Sequence, residues 1–334
     1  MKADPRPSLP GLEELAPHLE PLRGTSAWVV PMTGRSGKLL GNNGDALMHA
    51  VFLRILASFS IQTVDDQRDA QVVVVPPSGA LLESYAFPDL LAERLRGSED
   101  LPLIVFPSSA LFPTRDPSFM FENRSAPTTW MLRELPSMTH LREQWGTQLE
   151  GVGVRLVLLH DVVALGHAFV PELIGPRVNS SKTLLIAPRA DRERTSAIGA
   201  AAPRATQFSR MGELVRLAQR SGLGRRALRL VRKRRTAALA ERLAEHLDTS
   251  AWSAVQRRTR RTVRLDLSST QFCSFDEYAR TLRAAEVVIT DRLHVALPAA
   301  ILGAEVYVAE AGYHKLRGVY ENSLRGMTNV TLVG

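Results

Sequence analysis

The sequence contains a single cysteine, Cys273, so no disulfide can form within the chain. Chains without disulfides are typical of the reducing cytoplasm. No activating pattern surrounds this thiol, and we interpret it as structural. We also expect no secretory signal, because residues 1–20 hold prolines and acids but no apolar stretch. Together these absences favour a cytoplasmic protein.

Long apolar runs are missing too, since no uncharged apolar stretch reaches the roughly 18 residues that a membrane span needs. The longest candidate, residues 295–304, is shorter and contains Pro298. Five histidines show neither metal-ligand spacing nor a cysteine partner, so we expect no metal site. These histidines are His49, His140, His160, His167 and His246.

The 334 residues favour two domains, and a hydrophobic content of 45% with 23% charged residues is ordinary for a globular enzyme. Short apolar runs alternate with helical patterns, which predicts an α/β fold with buried strands. A stretch containing Pro, Gly and Ser at residues 170–182 is the predicted linker between domains 1–175 and 176–334. The predicted strands are 27–32, 71–76, 102–106, 128–132, 154–159, 183–188, 262–267, 287–290 and 306–309.

The positive charge of the chain is concentrated in one segment. Residues 204–264 contain seventeen Lys and Arg against four Asp and Glu, whereas the whole chain carries only +8. Leu223 and Leu230 fall at helical spacing between the arginines, which predicts a basic amphipathic helix inside an insertion at about residues 204–261. A solvated surface insertion is the alternative. Nucleic-acid binding is disfavoured because no aromatic residues interleave with the charges.

Near the end of the chain, residues 286–294 have the sequence E-V-V-I-T-D-R-L-H, and an apolar helical stretch follows. This pattern predicts a buried strand, a short turn, and a helix whose first turn presents Arg292 and His294. Open α/β sheets place their chemistry at such an edge, where carboxyl ends of strands meet helix N-termini. The alternative is an ordinary junction with Asp291 as the helix N-cap.

Near the start, residues 41–47 have the sequence G-N-N-G-D-A-L, between a strand pattern and a helical pattern. The two glycines permit a tight backbone path, and Asn43 and Asp45 supply polar groups at the start of the helix. Helix capping alone calls for the same residue types, so capping is the alternative for this turn as well.

The two segments together resemble the polysaccharide pyruvyl transferase family, in which G-N-x-G-D-x-L occurs near the start and D-R-L-H near the end. Intermediate segments are similar to family landmarks in the same order, over roughly residues 38–325. The glutamine of the family's P-Q-S element is replaced by Ser108, and a Gly-rich turn by residues 76–79. These segments are F-P-S-S at 106–109, R-E-L-P-S at 133–137, L-H-D at 159–161, P-R-A-D at 188–191 and H-K-L-R at 314–317.

The resemblance implies two Rossmann-like domains with a cleft between them, an architecture that the family shares with B-type glycosyltransferases. It also implies transfer of pyruvate from phosphoenolpyruvate to two hydroxyls of one sugar, giving a cyclic ketal. Because this reaction needs no redox cofactor, we expect no cofactor. The acceptor would be a surface polysaccharide or its lipid-linked precursor.

For this reaction His294 is our candidate acid/base, because histidine titrates near neutral pH. Arg292 and Arg189 are candidates for binding the anionic donor, and Lys315 and His314 for neutralising the leaving phosphate. Asn43 and Asp45 are candidates for orienting the acceptor or closing over the donor. Structural histidines, surface ion pairs and solvated helix residues are the respective alternatives. Of Arg133 and Glu134, we expect one to brace the fold through an internal ion pair.

Two other functions stay open at the level of sequence. A nucleotide-sugar glycosyltransferase would have a similar build, although the second half lacks an obvious glutamate-rich ribose-binding and base-binding signature. The second open function is that of a basic scaffold or membrane-binding protein without catalytic activity.

The basic segment yields a first testable prediction. Residues between Arg225 and Arg235 should hold the protein on an anionic membrane surface, since each Lys or Arg near such a surface contributes about 1 kcal/mol. We expect co-sedimentation with vesicles rich in anionic lipid at low salt and release as salt rises. Neutral vesicles are the control, and failure of anionic vesicles to retain the protein at low salt contradicts the prediction.

Overall fold

A computed structural model of the chain describes residues 9–34, 41–178, 181–189, 234–268, 270, 273–310 and 314–334. The chain divides into two compact units. The first contains Met1–Pro176 and Arg317–Thr328, and the second contains Arg177–Leu316 and Asn329–Gly334.

The first unit is built on a six-stranded sheet with the order β2-β1-β3-β5-β7-β8, in which every pairing is parallel. A separate pair, β4 and β6, is also parallel. The strands are β1 Ser26–Val29, β2 Gln62–Val64, β3 Val72–Val75, β4 Leu81–Leu82, β5 Leu103–Ser108, β6 Ala110–Leu111, β7 Thr128–Leu132 and β8 Val154–Leu158.

Burial explains why these segments are strands. All residues of β3, β5 and β7 are buried, as in parallel sheets covered on both faces. Trp130 is fully buried at the centre of the core, with its ring 5.5 Å from that of Phe121. Its indole N–H donates a hydrogen bond of 3.0 Å to the hydroxyl of Ser108, so the polar atom of this large side chain is satisfied.

The helices of the first unit bury apolar side chains in its core. Asn43–Ser58 places Leu47, Val51 and Ile55 in the core, at helical spacing. The helices are Ala16–Leu19, Asn43–Ser58, Phe87–Arg94, Leu135–Gly151, Val162–Leu165 and Val170–Ile174.

The second unit is built on a five-stranded parallel sheet with the order β10-β9-β11-β12-β13. Its core includes Ile186 and Ile289 from the sheet, and Leu243 and Val255 from helices on one face. The strands are β9 Thr183–Ala187, β10 Arg261–Arg264, β11 Ala285–Thr290, β12 Glu305–Ala309 and β13 Val330–Val333. The helical segments are 234–244, Thr249–Arg258, Phe275–Arg283, Leu293–Ile301 and His314–Val319, followed by the π-helical turn Tyr320–Leu324.

The α/β class with two Rossmann-like units is confirmed by these two parallel sheets. All nine predicted strands are present, and β7 has the predicted bounds. Four strands were not predicted: β2, β4, β6 and β13. Residues 170–182 were predicted to be a linker. The first five of them form the helix Val170–Ile174, because Val170 and Ile174 are buried in the first unit.

The domain division differs from the predicted one at the C-terminal end. The chain enters the second unit between Pro176 and Arg177, inside the predicted linker, but residues 317–328 return to the first unit. The side chain of Asn322 explains this return, since its amide donates to the carbonyls of Arg133 and Leu159 at 3.1 and 2.7 Å. These carbonyls follow the carboxyl ends of β7 and β8.

Of the basic insertion predicted at residues 204–261, the part up to residue 233 lies outside the described residues. The amphipathic helix predicted around Arg225 is in that part. From residue 234 onward the segment is helical, and Arg234 and Arg235 are exposed. Across the described parts of the chain, no helix combines the length and apolar character that crossing a membrane requires.

A buried ion pair braces the first unit at the carboxyl ends of its strands. The Arg133 guanidinium contacts the Asp161 carboxylate at 2.9 Å and Glu134 at 3.6 Å. Its Nε donates to the Ser109 hydroxyl at 2.9 Å, and that hydroxyl donates to Glu134 at 3.1 Å. The internal ion pair expected for this segment is therefore present, and both Arg133 and Glu134 take part in it.

Breaking this ion pair should destabilise the first unit strongly. Arg133→Met removes the guanidinium that contacts two buried carboxylates, which costs about 3–5 kcal/mol of unfolding free energy. Urea denaturation followed by tryptophan fluorescence measures the loss. The matched control is Arg325→Met, whose pair with Glu321 is largely exposed and contributes less than about 1 kcal/mol. Equal effects of the two substitutions would contradict the assignment.

Candidate functional site

The strand order of the second sheet defines where a ligand site is expected. The chain starts at β9, adds β10 on one side, and then crosses over to place β11 on the other side of β9. In open parallel sheets, ligands bind outside the carboxyl ends of the strands at such a reversal of order. The relevant edge therefore lies at the ends of β9 and β11, followed in sequence by Arg189 and by Asp291 and Arg292.

Hydrogen bonds hold these two strand ends together. The Thr290 hydroxyl donates to the Ala187 carbonyl at 2.7 Å and accepts from the Arg292 N–H at 3.1 Å. The Arg189 N–H donates to the Asp291 carboxylate at 2.6 Å. A carboxylate thus joins the loop after β9 to the loop after β11.

Arg292 is buried and paired at this edge. Its guanidinium contacts the Asp266 carboxylate at 3.1 Å, and the two side chains are only 5% and 4% exposed. Asp266 follows β10 and also accepts from the Ser268 N–H at 3.2 Å. The sequence predicted a guanidinium that binds the donor as a fork. The structure adds a protein carboxylate that orients it.

His294 lies in the first turn of the helix Leu293–Ile301 and is partly exposed. Its backbone (φ −84°, ψ 23°) departs from helical values and lies in the bridge region, where many active-site residues are found. Arg292, and not Asp291, is the N-cap residue, and its carbonyl accepts from the N–H groups of Val295 and Ala296 at 3.2 and 3.0 Å. The Asp291 carboxylate instead accepts the hydrogen bond from the Arg189 N–H.

Two further candidates, His314 and Lys315, begin the helix His314–Val319 that follows β12. Lys315 is 8% exposed, so the alternative of a solvated helix residue does not hold for it. The second unit thus brings Arg189, Arg292 and His294 to one sheet edge, and His314 and Lys315 follow the next strand of the same sheet.

The candidates of the first unit have a structural role of their own. Asn42 and Asp45 form a capping box: the Asp45 carboxylate accepts from the Asn42 N–H at 2.8 Å, and the Asn42 side chain accepts from the Gly44 N–H at 2.8 Å. Asn43 is 2% exposed. This turn follows β1, which lies between β2 and β3 at the point where the strand order of the first sheet reverses. Capping is therefore present, and contact with substrate stays a prediction.

Sequence reasoning missed two residues of this edge. Asp266 was placed inside the predicted strand 262–267, whereas β10 ends at Arg264 and leaves the carboxylate in the following loop. Tyr278 was not singled out, yet its hydroxyl donates to the His294 carbonyl. An acidic residue just after a strand was an available signal for Asp266. The sequence around Tyr278 gave no signal of its contact with His294.

In the described part of the chain, no group of three His, Cys, Asp or Glu side chains has the arrangement of a metal site.

Cys273 lies near this edge and is almost fully buried. Burial raises the pKa of its thiol to about 11, and the negative charges of Glu277 and Asp266 add to the effect. A thiol is nucleophilic only as the thiolate. This environment agrees with a structural thiol.

The thiol environment leads to a prediction of chemical reactivity. At pH 8 native Cys273 should react with iodoacetamide at least about tenfold more slowly than the same residue in urea, because the unfolded thiol has its ordinary pKa near 8.5. Mass spectrometry of the alkylated peptide measures both rates, and the urea-unfolded chain is its own control. Equal rates in the two states would contradict the burial of this side chain.

Comparison with known protein families gives no match, and comparison with curated proteins gives none either. Among solved structures, the chain is similar to an uncharacterized protein, KP1_0663, from Klebsiella pneumoniae subsp. pneumoniae NTUH-K2044. The TM-score is 0.54 at 15% sequence identity, over 96% of this chain and 97% of the other. This similarity shows a shared α/β fold. The resemblance to the pyruvyl transferases rests on the ordered sequence motifs.

Proposed function

We propose that this protein transfers pyruvate from phosphoenolpyruvate to two hydroxyls of one sugar of a surface polysaccharide or its lipid-linked precursor. The observation that carries the proposal is the clustering of Arg189, Arg292 and His294 at the reversal point of one parallel sheet. These three residues belong to the ordered motifs that resemble the pyruvyl transferase family, and the remaining motifs of that set add support. Because phosphoenolpyruvate is an intracellular metabolite, we place the reaction in the cytoplasm, in reach of the inner membrane face.

The donor sets the electrostatic demand on the site. Phosphoenolpyruvate carries a carboxylate and a phosphate, and arginine guanidinium groups are well suited to both. In this proposal Arg189 contacts the donor, and Arg292 contributes a positive charge whose orientation Asp266 fixes. Lys315 and His314 neutralise the phosphate as it leaves.

The reaction also needs protons to be moved. A proton adds to the methylene carbon of phosphoenolpyruvate, which leaves an oxocarbenium-like centre at the neighbouring carbon. A sugar hydroxyl attacks that carbon and loses its proton, and the bond to the phosphate oxygen breaks. A second hydroxyl then closes the ketal ring, and its proton leaves with the phosphate. We assign the proton transfers to His294, since imidazole titrates near neutral pH and general acid–base catalysis contributes about 10²–10⁴-fold.

The first unit supplies the acceptor side of this proposal. Asn43 and Asp45 lie at the start of the helix Asn43–Ser58, at the reversal point of the first sheet. Amide and carboxylate groups suit the orientation of sugar hydroxyls, because they donate and accept hydrogen bonds. Asp45 also caps the helix, so its substitution affects the local backbone as well as the acceptor.

The central test is a transfer assay with phosphoenolpyruvate and a panel of saccharides. Phosphate release and the methyl signal of the ketal in proton NMR measure the reaction. His294→Ala should lower the rate at least about 100-fold, because it removes the acid/base group. Its melting temperature should stay close to that of the parent protein, because the side chain is partly exposed.

The matched control is His246→Ala, which removes an exposed histidine of the same unit and should leave the rate unchanged. Turnover of a nucleotide sugar without ketal formation would favour a B-type glycosyltransferase instead. Absence of turnover with both donors would favour a scaffold protein without catalytic activity. A large loss of stability in His294→Ala would make this histidine a structural residue.

A further inference from the structure

The helix that carries His294 lacks one of its own hydrogen bonds. In an α-helix, the carbonyl of each residue accepts from the N–H four residues later. Four residues after His294 stands Pro298, inside the helix Leu293–Ile301. Proline has no N–H, and its ring crowds the carbonyl of the residue four positions earlier. The helix therefore cannot supply the usual donor to the His294 carbonyl, and the His294 backbone departs from helical values (φ −84°, ψ 23°).

Tyr278 supplies a donor from another helix. Its hydroxyl donates to the His294 carbonyl, and the side chain is fully buried in the helix Phe275–Arg283. The ring stacks on Phe275 with centroids 5.7 Å apart. At the start of the same helix, the Ser274 hydroxyl accepts from the Glu277 N–H at 3.2 Å. A buried ring on a capped helix is a rigid donor, because few rotamers are open to it.

We infer that Tyr278 is the positioning residue of His294, and that Pro298 makes the site depend on it. The phenol holds the carbonyl and thereby fixes the backbone from which the imidazole projects. Tyr278 acts through His294 and not on the substrate. The catalytic part of this inference rests on the proposed function, whereas the structural part does not.

Tyr278→Phe tests the inference, because it removes only the hydroxyl oxygen. A displaced catalytic group costs up to about 100-fold in rate, so we expect kcat to fall about 10–100-fold. KM should change less than about twofold, since Arg189 is untouched. In NMR spectra of protein labelled at histidine, the carbonyl and imidazole signals of His294 should both shift. The control is Tyr307→Phe, which removes a second hydroxyl of this unit, the one that donates to Glu305 away from this edge.

Rescue by a second substitution separates positioning from general stability. Pro298→Ala restores an N–H four residues after His294, so the helix itself can hold the carbonyl. In Tyr278→Phe/Pro298→Ala we expect kcat to recover at least about fivefold toward the parent value. The His294 signals should move back as well. A merely structural tyrosine would lower the melting temperature without changing kcat or these signals.

The two proposals fail in distinguishable ways. If the parent protein does not consume phosphoenolpyruvate, the proposed function fails, and the His294 signals in the three variants still decide the positioning role. If the parent protein is active but Tyr278→Phe leaves kcat and the His294 signals unchanged, the positioning role is overturned. Recovery of the signals and of kcat in the double variant supports both.

Discussion

The hydrogen bonds between the ends of β9 and β11 are the constraint on which the candidate site depends. The Thr290 hydroxyl donates a hydrogen bond to the Ala187 carbonyl, and the Asp291 carboxylate accepts one from the Arg189 N–H. Parallel strands leave polar backbone groups at their carboxyl ends, and buried groups of this kind must be paired. Here the pairing also sets the positions of Arg292 and His294, which follow β11 directly. The hydrogen bonds that satisfy this sheet edge therefore also set the geometry of the candidate site.

Polar groups at the ends of strands are used differently in the two units. In the first unit, the Arg133–Asp161 pair is closed within the fold and stabilises it. In the second unit, the Arg292–Asp266 pair is equally buried, but it lies two residues from the partly exposed His294. The same chemistry is therefore closed within the fold at one edge, and in the proposed function it supports donor binding at the other. The Tyr278 hydroxyl extends this arrangement to the His294 backbone.

Much of the fold was predictable because buried parallel strands appear as short apolar runs. β7 was predicted with its observed bounds, and β3 within one residue at each end. β2 was missed because Gln62–Val64 is short and mostly exposed, and β13 because it pairs only after the chain has returned from the first unit. For the candidate site, the sequence was sufficient to predict that Arg292 and His294 lie at the carboxyl end of a buried strand. The contacts of the Arg292 side chain with Asp266 and of the Tyr278 hydroxyl with the His294 carbonyl were not, because they join residues of separate structural elements.

The most direct test of the account is an NMR titration of the labelled protein with phosphoenolpyruvate. If the edge between β9 and β11 is the donor site, saturable shifts should appear at the backbone amides of residues 187–189 and 290–294 and at the His294 imidazole. Inorganic phosphate should give weaker shifts at the same positions, because it lacks the carboxylate. Shifts confined to other residues, or none with phosphoenolpyruvate at concentrations that saturate such enzymes, would contradict the account.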